Sequence, residues 1–95
     1  MTKMRVHNVT DRRYSWIGSW EVEPLDINAL TEADIGRTVI YRDVGRAEAG
    51  TLSSFRKEPS PIVWARFSTG STAAGCRPED LVFGVRTLTT EEAMR

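Results

Sequence analysis

The chain has 95 residues, 40% hydrophobic and 27% charged, with thirteen Lys plus Arg balancing thirteen Asp plus Glu. A chain this short builds one domain around a small core and has no room for a large cleft between lobes, which excludes multi-lobed enzyme folds. The neutrality also holds segment by segment, with four bases and four acids in residues 1–30, five and five in 31–58, and four and four in 59–95. Neither a basic arm for polyanions nor an acidic tail is present.

One cysteine, Cys76, and one histidine, His7, cannot supply a disulfide or the three or four ligands of a zinc site, and no cofactor is expected. No run approaches the roughly 20 apolar residues that span a bilayer. The N-terminus lacks the basic start, apolar stretch and small-residue cleavage site of a secretory leader, so a cytoplasmic protein without a membrane partner is expected. The triplet Asn8-Val9-Thr10 matches a glycosylation acceptor, which has meaning only in a secreted chain. Arginine outnumbers lysine eleven to two, which favours planar forks that stack and pair over point charges.

In chain order, Lys3 to Val9 alternates weakly, Met4, Val6 and Asn8 against Arg5, His7 and Val9, and reads as a first strand. Tyr14, Trp16, Trp20 and Val22 share parity against Ser15, Ser19, Glu21 and Glu23, a half-buried strand that Pro24 ends. Gly18 interrupts that aromatic row and marks a bulge or a close backbone approach. Thr31-Glu32-Ala33-Asp34 is a short capped turn, Thr followed three residues on by an acid. Arg37 to Arg42 is a strand with Val39 and Tyr41 on one face and Thr38, Ile40 and Arg42 on the other. Asp43 to Gly50, with two glycines and mixed charge, reads as a hairpin loop, and Thr51 to Phe55 as the returning strand.

Pro59-Ser60-Pro61 forces a turn, after which Ile62 to Phe67 alternates, Val63, Ala65 and Phe67 against Ile62, Trp64 and Arg66. Ser68 to Ser71 is a polar turn, Thr72 to Cys76 a short extended piece, and Arg77 to Leu81 a tight helical turn entered through Pro78. Val82 to Arg86 is the last strand. Thr89 with Glu92 forms a capping box for a C-terminal helical turn over Glu91 to Arg95. Short strands at about ten-residue spacing with turn-rich joints predict a small antiparallel barrel.

The residues Asp34-Ile35-Gly36-Arg37, Val39, Tyr41-Arg42, Gly50 to Phe55, Trp64 to Phe67 and Arg77-Pro78-Glu79-Asp80-Leu81 resemble a group of short bacteriophage and prophage proteins of unknown function. The resemblance covers about half of the chain and implies a Src-homology-3-like or Tudor-like barrel. It also implies a phage-borne accessory role, and it carries over no catalytic residue. The expectation is one mainly β domain over residues 1–95: an N-terminal strand extension (1–30), a barrel core (31–86) and a C-terminal turn (87–95).

Two constellations carry binding chemistry. Arg42 on one strand with Trp64 and Arg66 on another would form an arginine and indole face suited to bases, phosphates or an acidic peptide. The alternative is Trp64 completing a small core beneath arginine stems. Trp16 and Trp20, with Tyr14, form a protein-docking stripe or cage, or else they seal an open end of the barrel.

Glu21 and Glu23 share a face without the apolar pocket that separates two carboxyl pKa values. Asp26 and Asp34 are too scattered for a hard metal. Cys76 is a small buried residue rather than a nucleophile paired with His7. The expected function is therefore a non-enzymatic module acting on a protein partner. The alternative is nucleic-acid binding through Arg42, Trp64 and Arg66 with Arg37, Arg46 and Arg56 nearby, against which zero net charge weighs. An exposed edge, the N-terminal aromatic strand above all, is also able to pair with a second copy of the chain.

Overall fold

The computed structural model describes residues 4–95, so Lys3, the first residue of the first expected strand, lies outside the described residues. Seven strands run in chain order as β1 (Met4–Asp11), β2 (Trp16–Pro24), β3 (Thr38–Asp43), β4 (Arg46–Arg56), β5 (Ile62–Arg66), β6 (Ala74–Cys76) and β7 (Leu81–Leu88), followed by a helical turn α1 (Thr90–Ala93). They form one sheet in the order β1-β2-β7-β3-β4-β5-β6. Every neighbouring pair is antiparallel, and a short parallel contact, Val9 with Ala47 and Thr10 with Glu48, also joins β1 to β4. The expected mainly β, antiparallel architecture with a short C-terminal helical turn is the one the chain adopts.

The central strands β3, β4 and β7 are buried on both faces, which explains their continuous apolar stretches Val39-Ile40 and Leu81-Val82-Phe83. On one face Ile40, Ala47, Ala49 and Val82 meet Val6, Val9, Trp20 and Val22 from β1 and β2. On the other, Val39, Leu52, Leu81 and Phe83 meet Val63, Ala65 and Cys76, with Leu30 from the segment joining β2 to β3. The residues expected as an N-terminal extension thus supply two strands and half of one core cluster. Each fully enclosed valine or leucine in these clusters contributes roughly 1.5–3 kcal/mol of burial.

Bulges explain where simple alternation fails. Val6 pairs with Trp20 and Val9 with Gly18, so β1 carries an extra residue at His7-Asn8, where Asn8 takes φ 57°. That insertion turns both Val6 and Val9 inward although they are three apart. A second extra residue, Ser53, separates Leu52 opposite Ala65 from Ser54 opposite Trp64.

Two expectations need correction. The loop expected over Asp43–Gly50 is only Val44-Gly45, since β4 begins at Arg46, directly opposite Asp43. Ala47, Glu48, Ala49 and Gly50 are all buried, so small residues that suggest a loop are here the thin middle of a strand covered on both faces. Tyr14 lies in the β1–β2 turn rather than on β2. The two capped turns form as expected: Thr31 and Asp34 close one capping box, Thr89 and Glu92 the other.

Candidate functional site

The β1–β2 turn is fixed by the residues that enter it. The Asp11 carboxylate accepts from the backbone N–H of Arg13 at 3.0 Å, an Asx-type contact that bends the chain. Its two oxygens also accept from Nε and Nη2 of Arg13 at 2.9 and 2.8 Å, a bidentate pair. Nη1 of Arg13 donates to Thr38 Oγ1, the Gly50 carbonyl and Thr51 Oγ1 at 3.3, 3.2 and 3.0 Å. Asp11 is almost wholly enclosed and the Arg13 side chain nearly so.

The position of Arg13 follows from the sheet. Strand β1 leaves the edge of β4 after Glu48, and β5 reaches that edge only at Thr51, so Ala49 and Gly50 face a split between the two strands. Arg13 satisfies the Gly50 carbonyl there, and the Phe67 ring packs within 2.7 Å of where a Gly50 Cβ would stand. Only glycine admits both the ring and the Arg66 carbonyl, 2.9 Å from the same point.

On this turn and the first two residues of β2 stand three large apolar side chains. Tyr14 is 76% exposed, Ile17 67% and Trp16 36%. Trp16 lies across Gly18, its ring within 2.0 Å of the position a Cβ would take, and meets Trp20 edge to face at 6.3 Å. Trp20 itself is core, its benzo edge lying against Gly84, and its Nε1–H reaches no acceptor among the described residues. Of the two expected tryptophans, then, Trp20 seals the core and Trp16 covers it while remaining partly open.

Depressions flank the turn on both sides. One, of about 280 Å³, is lined by Arg13, Tyr14, Thr51, Arg66, Ser68, Thr69 and Gly70. The other side holds two that share Arg12, Arg46 and Glu48: about 390 Å³ reaching Thr10 and Ala47, and about 340 Å³ reaching Tyr41, Phe67 and Cys76. There Arg12 and Arg46 converge on the nearly buried Glu48 carboxylate, and Tyr41 meets Phe67 edge to face at 6.3 Å. Burial, with a smaller contribution from Asp80, raises the Cys76 thiol above its ordinary value, which keeps it protonated and unreactive.

The expected Arg42, Trp64 and Arg66 face is not assembled. Along β4, Arg42 stands opposite Ala47, Arg66 opposite Thr51 and Trp64 opposite Ser54. The partners of Arg42 and Trp64, Ala47 and Ser54, are therefore seven positions apart along β4, about 20 Å at strand spacing. Trp64 is half-buried, and the guanidinium over it, at 5.8 Å, is that of Arg56. Arg37 is also committed elsewhere, lying 3.7 Å from the Phe83 ring centre and bonded to Glu23 and Asp34. Its proton is held more tightly than usual, first by Glu23, with Asp34 adding to it.

Arg42 and Arg66 nonetheless differ from the other arginines: among the described residues they alone form no ion pair or side-chain hydrogen bond. Arg66 lies in the depression beneath Tyr14, whereas Arg42 lies in a separate one with His7 and Asn8. His7 on β1 bonds Ser19 on β2 at 2.9 Å, whereas the Cys76 thiol on β6 donates to the Ala74 carbonyl, so each of the two has a different partner. Glu23 pairs with Arg37 and Glu21 with Arg86. Among the described residues no three His, Cys, Asp or Glu side chains gather as a metal site.

Sequence reasoning missed Asp11, Arg13, Arg12 and Glu48. One signal was available for the first pair, an acid at a strand end two residues before an arginine, which is the Asx-turn arrangement. Nothing local identifies Glu48 as buried. No helix among the described residues is long and apolar enough to cross a membrane. Comparison with family models, with curated proteins and with solved structures finds no match for this chain.

Proposed function

We propose that the chain is a non-enzymatic binding module whose β1–β2 turn presents Tyr14, Trp16 and Ile17 to a protein partner. The observation that carries this reading is the pairing of opposites at one place: three exposed apolar side chains in the β1–β2 turn and at the start of β2, beside a buried ion pair that holds the turn. Aromatic residues beside arginine are the usual anchors of protein interfaces. Holding them in place beforehand reduces the ordering entropy that association costs. The shallow depressions around the turn suit a surface contact better than an enclosed reaction chamber.

The fold reading that accompanies this is a small Src-homology-3-like barrel. Its supports are the strand order β1-β2-β7-β3-β4 meeting β1 again through Val9 and Thr10, and the resemblance over Asp34 to Phe83. The setting which that resemblance implies is a phage or prophage accessory factor.

The test is affinity capture from host lysate with the wild-type protein and a Tyr14→Ser, Trp16→Ser, Ile17→Ser triple variant side by side. The reading expects a partner retained by the wild type and lost by the variant, whose unfolding midpoint falls modestly because Trp16 covers part of the core. Identical retention by both proteins would overturn it. A second reading, nucleic-acid binding, rests on Arg42 and Arg66, which have no partner among the described residues. It requires binding at low salt that falls steeply as salt rises.

A further inference from the structure

We infer that the partner presents an acidic peptide segment, with a carboxylate seated on Arg66 and a neighbouring apolar side chain against Tyr14. This rests on the docking reading and specifies its chemistry. Three observations carry it.

First, the depression beneath Tyr14 has an unbalanced positive charge. Of its two guanidiniums, Arg13 is neutralised by Asp11, whereas Arg66 has no acidic partner among the described residues. Among the described residues no Asp or Glu lines this depression. By contrast, the depressions on the other side of the turn contain Glu48, which already draws in Arg12 and Arg46. Charge complementarity thus selects one side of the turn and one sign of ligand.

Second, the remaining lining is made for a carboxylate. Thr51, Ser68 and Thr69 bring hydroxyls to the same depression, beside the open backbone of Gly70, which has φ 77° and nothing within 4 Å of a would-be Cβ. Thr51 Oγ1 accepts from Arg13, which leaves its own proton to donate outward. Third, Tyr14 borders the depression and is 76% exposed, so a residue adjacent to the acid in an extended segment reaches its ring. An isolated phosphate would engage Arg66 and the hydroxyls but leave Tyr14 uncovered. A longer polyanion would need a second free cation nearby, and among the described residues the other one, Arg42, lies in a separate depression.

The test uses fluorescein-labelled twelve-residue peptides of alternating Asp or Glu with Leu or Phe, a matched set with Asn and Gln in place of the acids, and single-stranded dT12. Anisotropy gives affinity, and amide shifts of the labelled protein give the place of binding. The acidic peptide is expected to bind most tightly and to shift Tyr14, Arg66 and Ser68 to Gly70. Raising salt is expected to weaken it, and Arg66→Glu to weaken it by about tenfold, as reversal of one interfacial charge does. Arg42→Glu, at the other depression, is expected to leave it unchanged. If the Asn and Gln peptides bind equally well and Arg66→Glu has no effect, the acidic-partner inference falls while the docking turn survives. Tighter binding of dT12 than of the acidic peptide overturns the inference in favour of nucleic acid. Absence of any peptide binding, with no shifts at Tyr14, Trp16 or Ile17, overturns the inference and the docking reading together.

Discussion

Arg13 grips Asp11 through two parallel hydrogen bonds of 2.9 and 2.8 Å, and with the rest of its guanidinium it ties the β1–β2 turn to Thr38, Gly50 and Thr51. One enclosed side chain therefore joins three strands. A buried ion pair adds little net stability over an apolar pair, yet removing one partner leaves an uncompensated charge. Arg13→Ala is expected to destabilise the fold by about 3–5 kcal/mol in urea titration. Arg13→Lys should recover only part of this loss, because an ammonium cannot reproduce the planar fork. An Arg13→Ala protein as stable as the wild type would show that the pair does not hold the turn.

Gly50 and Gly18 both lie under aromatic rings, but replacing them should have unequal effects. At Gly50 an added methyl meets Phe67 at 2.7 Å and the backbone oxygen of Arg66 at 2.9 Å, and backbone cannot step aside. At Gly18 it meets only the far end of the partly exposed Trp16 ring. Gly50→Ala is expected to cost about 1–3 kcal/mol as overpacking. Gly18→Ala should cost less and shift tryptophan emission to the red as Trp16 swings outward. Equal losses in thermal unfolding would contradict this ordering.

The C-terminal turn is expected to respond to acid. Glu92 is held at about 2, below its ordinary 4.5, first by the Thr89 backbone N–H and then by Arg86. A carboxyl depressed in the folded state stabilises it fully above 4.5, and the contribution disappears as pH falls toward about 2. A carboxyl-carbon titration by NMR should place the Glu92 midpoint near the lower value, with the Thr89 amide losing protection over the same interval. Glu92→Gln should abolish that acid dependence. A midpoint at the ordinary glutamate value would contradict the capping-box account.

Cys76 is expected to resist alkylation. It is buried among the residues of the second core cluster, and its raised pKa keeps the thiolate scarce at neutral pH. Iodoacetamide should label native protein slowly and urea-unfolded protein rapidly. Equal rates would indicate an open β6 edge.

The strands and both capping boxes were legible in the sequence because period-two alternation and the Thr-x-x-acid spacing are local signals. The breaks in that pattern were not. Val6 and Val9 look out of phase until the bulge at Asn8 is known, and bulges depend on the opposing strand. The stretch Ala47 to Gly50 looked like a loop because strands buried on both faces at close spacing use small residues, whose periodicity is silent. Site residues were legible by type rather than by place. Arg66 and Trp16 border the turn, whereas register alone carries Arg42 away from Trp64. The Asp11–Arg13 pair derives its importance from a split between β1 and β5 that only the folded sheet creates.

The central claim is that an aromatic turn is held rigid before any partner arrives, and backbone ¹⁵N relaxation on the free protein tests it most directly. The account predicts order parameters for Arg12 to Ile17 of about 0.85, equal to those of the buried strands, in spite of the turn's exposure. Values below about 0.6 across those residues would describe a flexible loop and contradict it.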